Sequence, residues 1–430
     1  MPANRTVEVL AMTELELRVE EVLRDLVLEI PRPGALGDDG SLASGEAGLA
    51  VLFAHMYRHE RVGRWRDRAI EHLRCAQRVL AERPLGPGLF CGFLGIGWTH
   101  THVGQVLEEW GEAEALAEMD DLMAALLARN RPLSLDLISG LAGFGVYGLQ
   151  RLLVTGRRSP LAATLSALEQ AASHCAEGTT WFTPPLQLPS QQRKAAPQGY
   201  YNLGMAHGAP AAIAILGQAL ATGGGTMAVS HLYRESVRWL LAQANPAGSP
   251  SRFDHWVARG KARKPGAAGQ VGWTRIAWCY GDLGLGVGLL LAAKGAGDPV
   301  TENLALEICR QAAHRPLAEC GLMDAGLCHG AAGTAHLFHR LARATGEQSF
   351  RQAAEAHLQW LLAFRQQGLG IAGFRTWQPG AGRAPGTWQD TPGMLEGAAG
   401  IGLALLAFLP RTDPSWDAVL LANLPAGAVA

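Results

Sequence analysis

YGDLGLGVGLL, residues 280–290, decides the fold. Two glycines three apart, Gly281 and Gly284, open an aliphatic run almost without charge, the pattern of a helix buried on every side that turns tightly at its start. The same pattern recurs as SGEAGLAVLF at 44–53, CGFLGIGWTH at 91–100, SGLAGFGVYGL at 139–149, HGAPAAIAIL at 207–216, HGAAGTAHLF at 329–338 and EGAAGIGLALL at 396–406. Seven copies follow one another every roughly 50 to 70 residues, a period that marks a repeat architecture. Six read G-x-x-G, and the fourth has Ala211 in place of the second glycine.

Between the apolar runs lie charge-bearing amphipathic segments such as RWRDRAIEHLRCAQRVLAE (64–82), AEALAEMDDLMAALLAR (113–129), TENLALEICRQAAHR (301–315) and QSFRQAAEAHLQWLLAF (348–364). One buried and one surface helix per copy is the economical reading, with a first outer helix over 13–29. Seven such pairs cannot bury their inner helices singly; stacking them into a ring does so. The expected fold is therefore all-α, a single α/α toroid of seven inner and seven outer helices spanning 1–430. Three longer stretches, 177–202, 245–274 and 376–393, are rich in Pro, Gly and Trp and lead into glycine pairs, so they are expected to open on the mouth that carries the inner-helix N-termini.

Composition fits this reading and excludes others. Hydrophobic residues make up 48% and charged residues 17%, enough to bury a core and too apolar for a disordered chain. The 53 glycines exceed the usual roughly 7% without the three-residue period of collagen. Lys+Arg 37 against Asp+Glu 38 leaves a net charge of -1, so no basic field draws the chain to nucleic acid. The first residues lack a basic stretch followed by an apolar one, no segment reads as a membrane span, and seven scattered cysteines suit a reducing compartment; the cytoplasm is the expected location.

Counting back from each first glycine brings polar residues into register. His207, Tyr280, His329 and Glu396 stand one position before it, Cys279 and Cys328 two before, and Asp136 four before. Equivalent copies would place all of them around one mouth. Cys279, Cys328 and His329 then offer a Cys₂His donor set from two adjacent copies, which suits a zinc ion with one open position. The spacing is no zinc-finger pattern, and taken singly the same residues read as small buried thiols and a helix-terminal histidine. Glu396 reads as a structural acid at a helix start, Cys91 as a packing residue, and His100 and His102 as solvated or packed imidazoles.

WCYGD (278–282), LCHGAAG (327–333), YYNLGMAHG (200–208), DLISGLAG (136–143) and MLEGAAGIG (394–402) resemble segments of the lanthionine synthetase C family, the lanthipeptide cyclases, and the resemblance spans about residues 40 to 409. It implies an α/α toroid with a central Zn2+ held by Cys279, Cys328 and His329. It also implies addition of a precursor-peptide cysteine thiol to dehydroalanine or dehydrobutyrine, forming a thioether ring. The chemistry of the residues agrees. Zinc deprotonates a thiol, two thiolate ligands keep it nucleophilic, and the resulting enolate needs a proton at its α-carbon and donors at oxygen. His207 suits the acid, with Asp136 orienting it or handling its proton. Arg275, placed like a family arginine, would stabilise the enolate or hold Asp136, and Tyr280 would act as a donor or pocket wall. The implied partners are a dehydrated precursor peptide, a separate dehydratase and a membrane exporter, through which the protein would meet the membrane. Addition or binding of a small thiol such as glutathione, and a non-catalytic zinc scaffold, are the alternatives. An α/α-toroid glycosidase would require paired acids and leave both cysteines unexplained.

Overall fold

The computed structural model describes residues 12–109, 116–129, 133–259, 273–380, 385–410 and 412–427. Residues 113–115, 260–272 and 381–384, parts of three segments singled out above, lie outside the described residues.

The inner helices are α2 (Glu46–Glu60), α4 (Phe93–Leu107), α6 (Leu141–Thr155), α9 (Ala209–Ala221), α11 (Asp282–Ala296), α13 (Ala331–Thr345) and α15 (Ala398–Ala407). The outer helices are α1 (Glu14–Glu29), α3 (Gly63–Glu82), α5 (Ala117–Ala128), α7 (Ser159–Gln170), α10 (Met227–Ala242), α12 (Pro299–Ala313) and α14 (Gln348–Ala363), with one short helix, α8 (Ser190–Ala195), outside the repeat. Each inner helix packs on the next, and α15 returns to α2, so the ring is an α/α toroid. Its closure is not sequential: the outer partner of α15 is α1, from the other end of the chain.

Burial follows the sequence pattern. In α11 every residue from Asp282 to Ala293 is buried, whereas α1 buries only Val19, Val22, Leu23, Leu26 and Val27, a stripe at helical spacing. A capping box of Thr13 and Glu16 starts α1, and Asp298 caps α12.

The inner helices start differently. Each takes its first glycine as N-cap and has no side-chain cap. The capping acceptors are carbonyls of the preceding turn, as in Phe93 N–H to Gly86 O and Ala331 N–H to Asp324 O, at 2.9 and 3.0 Å. That turn lies so close that a Cβ on Gly92 would stand 2.0 Å from the Gly86 carbonyl oxygen, and one on Gly95 only 1.9 Å from that of Leu89. The second glycine also admits the neighbouring copy: a Cβ on Gly143 would meet Leu89 at 2.8 Å.

Seven backbone hydrogen bonds of 2.7 to 3.3 Å then link the turns into a circle. Ala43 donates to Phe90, Phe90 to Ile138, Leu137 to Ala206, Ala206 to Cys279, Cys279 to Cys328, Cys328 to Leu395, and Leu395 back to Ala43.

The three long segments are more ordered than their composition implies. β1 (Ser173–Cys175) pairs with β2 (Gly178–Thr180), β3 (Tyr200–Asn202) with β4 (Trp256–Ala258), and β5 (Thr376–Gln378) with β6 (Thr387–Gln389), all antiparallel. β3–β4 and β5–β6 reach the mouth, where Asn202 bonds Tyr280 and Gln378 bonds Glu396. The segment from 177 begins elsewhere, with β2 packed on outer helix α10. At the opposite end, residues 412–427 fold back into the ring, where Trp416 and Asp417 are buried and the Leu420 carbonyl accepts from Trp278 Nε1 at 2.9 Å. No described helix is long and apolar enough to cross a membrane.

The close approach at the glycine pairs yields a test. Gly95→Ala should destabilise the fold by about 1–3 kcal/mol or more, because the backbone carbonyl it meets cannot step aside. Gly63→Ala, at the start of α3 with nothing near its Cβ, should change stability by less than about 0.5 kcal/mol in the same urea titration.

Candidate active site

The backbone circle carries the site. Cys279 and Cys328 are consecutive members of it, joined by Cys279 N–H to the Cys328 carbonyl at 3.3 Å, so their side chains leave neighbouring turns side by side. His329 follows Cys328 in the chain. The thiol sulfurs and one ring nitrogen of these three residues lie within 4.8 Å of one another. Tetrahedral zinc holds sulfur at about 2.3 Å, which sets its ligand sulfurs about 3.8 Å apart, so the cluster is of the right size. Two soft thiols and an imidazole select zinc over calcium or magnesium, and three protein donors leave one position for another ligand.

The electrostatics suit cation binding. The Cys328 hydrogen bond, outweighing burial with help from His329 and Arg275, holds the Cys279 thiol well below its ordinary pKa, while the same contact and burial push Cys328 up. The two cysteines thus share one proton that a metal would displace. Burial pulls His329 down, but the Cys279 charge overcomes it and the net shift is upward.

Across the mouth, His207 precedes α9 and its Nδ1 bonds Asp136 Oδ2. The other carboxylate oxygen of Asp136 accepts the Ser139 N–H at 2.7 Å, which fixes it in the turn before α6. Gly140, not Asp136, is the N-cap of that helix. Burial lowers the His207 pKa, yet hydrogen bonding and charge from Asp136 win, so the ring holds its proton more firmly than a free histidine. Tyr280 stands between the two groups, its ring 5.5 Å from that of His207. Burial and nearby negative charge raise its phenol pKa, keeping the hydroxyl protonated. Asn202 Nδ2 donates to that hydroxyl at 2.9 Å and so fixes the oxygen.

Arg275 is half-buried, and its positive charge lowers the pKa of Cys279. It forms no ion pair with Asp136, whose oxygens are engaged by His207 and Ser139. Of its two expected tasks, that geometry matches the one beside the thiols. Glu396 binds Gln378 Nε2 at 2.7 Å and anchors the β5–β6 hairpin, as befits a structural acid. Cys91 is exposed, with its pKa raised by burial of the sulfur and by Asp136. His100 bonds Gln77, and His102 stacks on Trp98 at 4.6 Å, so both are packed.

Three residues at the mouth escaped the sequence reading. Asn202 and Asp324 each stand six before a first glycine, as Arg275 does, and each accepts the N–H two residues on, at 2.8 and 2.9 Å. Asp39 does the same in the first copy. This recurrence, N-x-G and D-x-G at one offset, was the available signal. His255, just before β4, lies edge-on to Tyr280 at 5.1 Å with its Nε2 buried and unpartnered. Burial and Arg275 lower its pKa, so it stands neutral opposite a protonated His207. No repeat offset marks His255; pairing of β3 with β4 brings it in.

The model of the lanthionine synthetase C-like protein family matches residues 38–421. Comparison with curated proteins gives no match. Among solved structures, nisin cyclase superposes with a TM-score of 0.69 over 95% of this chain and 97% of its own, at 17% sequence identity, which shows a shared fold. A sugar epimerase from a ruminal bacterium covers 92% of this chain and 99% of its own at 10% identity, with a TM-score of 0.47.

The donor set makes a direct prediction. Purified protein should carry about one zinc per chain, and Cys279→Ala should lose most of it while keeping its helical circular dichroism. Zinc retained at the wild-type level would remove Cys279 from the ligands.

Proposed function

This chain belongs to the lanthionine synthetase C-like family, and from that premise we propose that it is a zinc-dependent peptide cyclase. It joins a cysteine thiol of a dehydrated precursor peptide to the β-carbon of a dehydroalanine or dehydrobutyrine, giving a lanthionine or methyllanthionine thioether. The observation that carries this reading is the convergence, at one mouth, of the Cys279, Cys328 and His329 donors with the His207–Asp136 pair.

When held by Cys279, Cys328 and His329, zinc supplies an acidified thiol at its fourth position. The other residues serve the acceptor half of the reaction. Forming the sulfur–carbon bond pushes the double-bond electrons toward the neighbouring carbonyl, and Arg275 and the Tyr280 hydroxyl offer a cation and a donor to that oxygen. Protonated His207 then delivers a proton to the α-carbon, and Asp136 stabilises the charged ring beforehand and fixes the nitrogen that faces away from the mouth. The thiol proton lost and the carbon proton gained balance, so substrate and product have equal mass. The substrate requires a separate dehydratase acting on serine and threonine, and the finished peptide an exporter; the cyclase itself works in the cytoplasm and meets the membrane through such a complex.

Because the mass is unchanged, the assay counts free thiols by alkylation of a peptide that contains both a dehydro residue and a cysteine. Zinc-loaded protein should consume the thiol without mass gain; addition of glutathione to the peptide instead would identify a small-thiol transferase, and neither change would sink the enzyme reading. His207→Ala should keep its zinc and slow ring closure roughly 10²- to 10⁴-fold. Asp136 raises the His207 pKa, so the acid form is complete below that value and is lost as pH climbs through it. Asp136→Asn should therefore move the alkaline fall in rate to lower pH, and an unmoved profile would exclude His207 as the titrating acid.

A further inference from the structure

The inner helices present their N-termini to the site just described, and their C-terminal halves enclose a second space. This chamber of about 550 Å³ lies between α4, α6 and the returning segment 413–423, with walls that include Trp98, Val106, Val146, Leu149, Gln150 and Leu421. Its size falls within the roughly 300–1,000 Å³ of small-molecule sites, and its walls mix aliphatic surface with few polar groups as such sites do.

We propose that this chamber is a second binding site, for an uncharged small molecule with an aromatic or aliphatic body and one N–H or O–H donor directed at Gln150 Oε1. Three observations carry the assignment. Gln150 is 9% exposed, and its Nε2 is committed to the Trp98 carbonyl at 3.1 Å, which fixes the amide. Its Oε1 is buried with no hydrogen-bond partner, an acceptor on the chamber wall that calls for a donor.

The charges around the chamber are already matched. Arg58 pairs with Asp413 at 3.2 Å, Arg61 with Glu108 at 3.5 Å and Arg340 with Asp417 at 3.0 Å, while His102 is neutral, pushed down to about 3 by burial and Arg58. A charged ligand would therefore lose its hydration without gaining a free counter-ion. The third observation is Leu421, which lines the chamber at φ 54, a conformation that leucine adopts at a cost and that recurs where side chains clamp ligands. The assignment stands independently of the cyclase reading, since it uses none of the residues at the other mouth.

The test uses full-length protein and two fluorescent probes, 2-phenylindole, which carries an N–H, and its N-methyl analogue, which does not. Wild type should bind 2-phenylindole saturably at one per chain and the methylated probe about tenfold more weakly, the ratio one net hydrogen bond gives. Gln150→Met should bind both probes equally, at the weaker level, and Leu149→Trp should bind neither. Absence of saturable binding up to 100 µM 2-phenylindole would overturn the site. So would equal binding of the two probes by wild type, or unchanged binding by a folded Leu149→Trp protein. Should Leu149→Trp fail to fold, the comparison of two probes on wild type and Gln150→Met decides alone.

Discussion

The circle of seven backbone hydrogen bonds at the helix-start turns is the constraint on which the rest of this structure depends. A turn can pass its N–H to one neighbour and its carbonyl to the other only if it lies flat against the next helix start, and a side chain on either glycine would hold it off. Gly45 illustrates the demand, with the Asp39 carbonyl oxygen 2.2 Å from where a Cβ would sit. Loss of glycine there is a steric matter more than one of conformational freedom, since six of the seven N-cap glycines have φ values open to any residue. Gly281, at φ 106, is the member that needs both. Ala211 shows the limit of the rule: the fourth copy accommodates a methyl group at the second position because Pro210 and Ala211 replace the motif there.

That circle also explains why a metal centre fits on this mouth and how few residues it takes. Positions two before the glycine belong to the bonded circle, so cysteines placed there in adjacent copies have their backbones locked together before any side-chain chemistry begins. Conformational entropy that a flexible site would lose on binding a metal is already spent in folding. The acid pair uses a different device. His207 comes from the turn before α9 and Asp136 from the turn before α6, so two neighbouring copies again supply the partners, held at the same level of the ring. The pKa values of His207 and His255 are pushed in opposite directions on two sides of Tyr280, and this polarity of the mouth follows from the single negative partner, Asp136, standing on one side only.

The two ends of the toroid are unequal. At the N-terminal mouth the copies contribute short turns, and β3–β4 and β5–β6 rise from it. At the other end the chain closes the ring with residues 412–427, whose Asp417 binds His336 and Arg340 inside the core and whose Leu420 carbonyl holds the Trp278 indole. Trp278 immediately precedes Cys279, so the tail buttresses the turn that bears a donor thiol while leaving the chamber beside α4 and α6.

Read alone, the sequence determined the repeat, the inner and outer helices, the toroid and the register that gathers Cys279, Cys328, His329, His207, Tyr280 and Asp136. Each of these depends on local periodicity, and a periodic pattern survives translation into structure because every copy obeys the same packing rule. The tertiary structure alone decided what breaks the period. His255 arrives through strand pairing across some fifty residues, α1 joins the last inner helix across the whole chain, and the tail fills one end of the ring. Arg275 turns its charge to the thiols because the oxygens of Asp136 are engaged by His207 and Ser139. These contacts join segments with no shared offset, and their formation rests on which surfaces remain unburied once the ring has closed, a quantity that exists only in three dimensions.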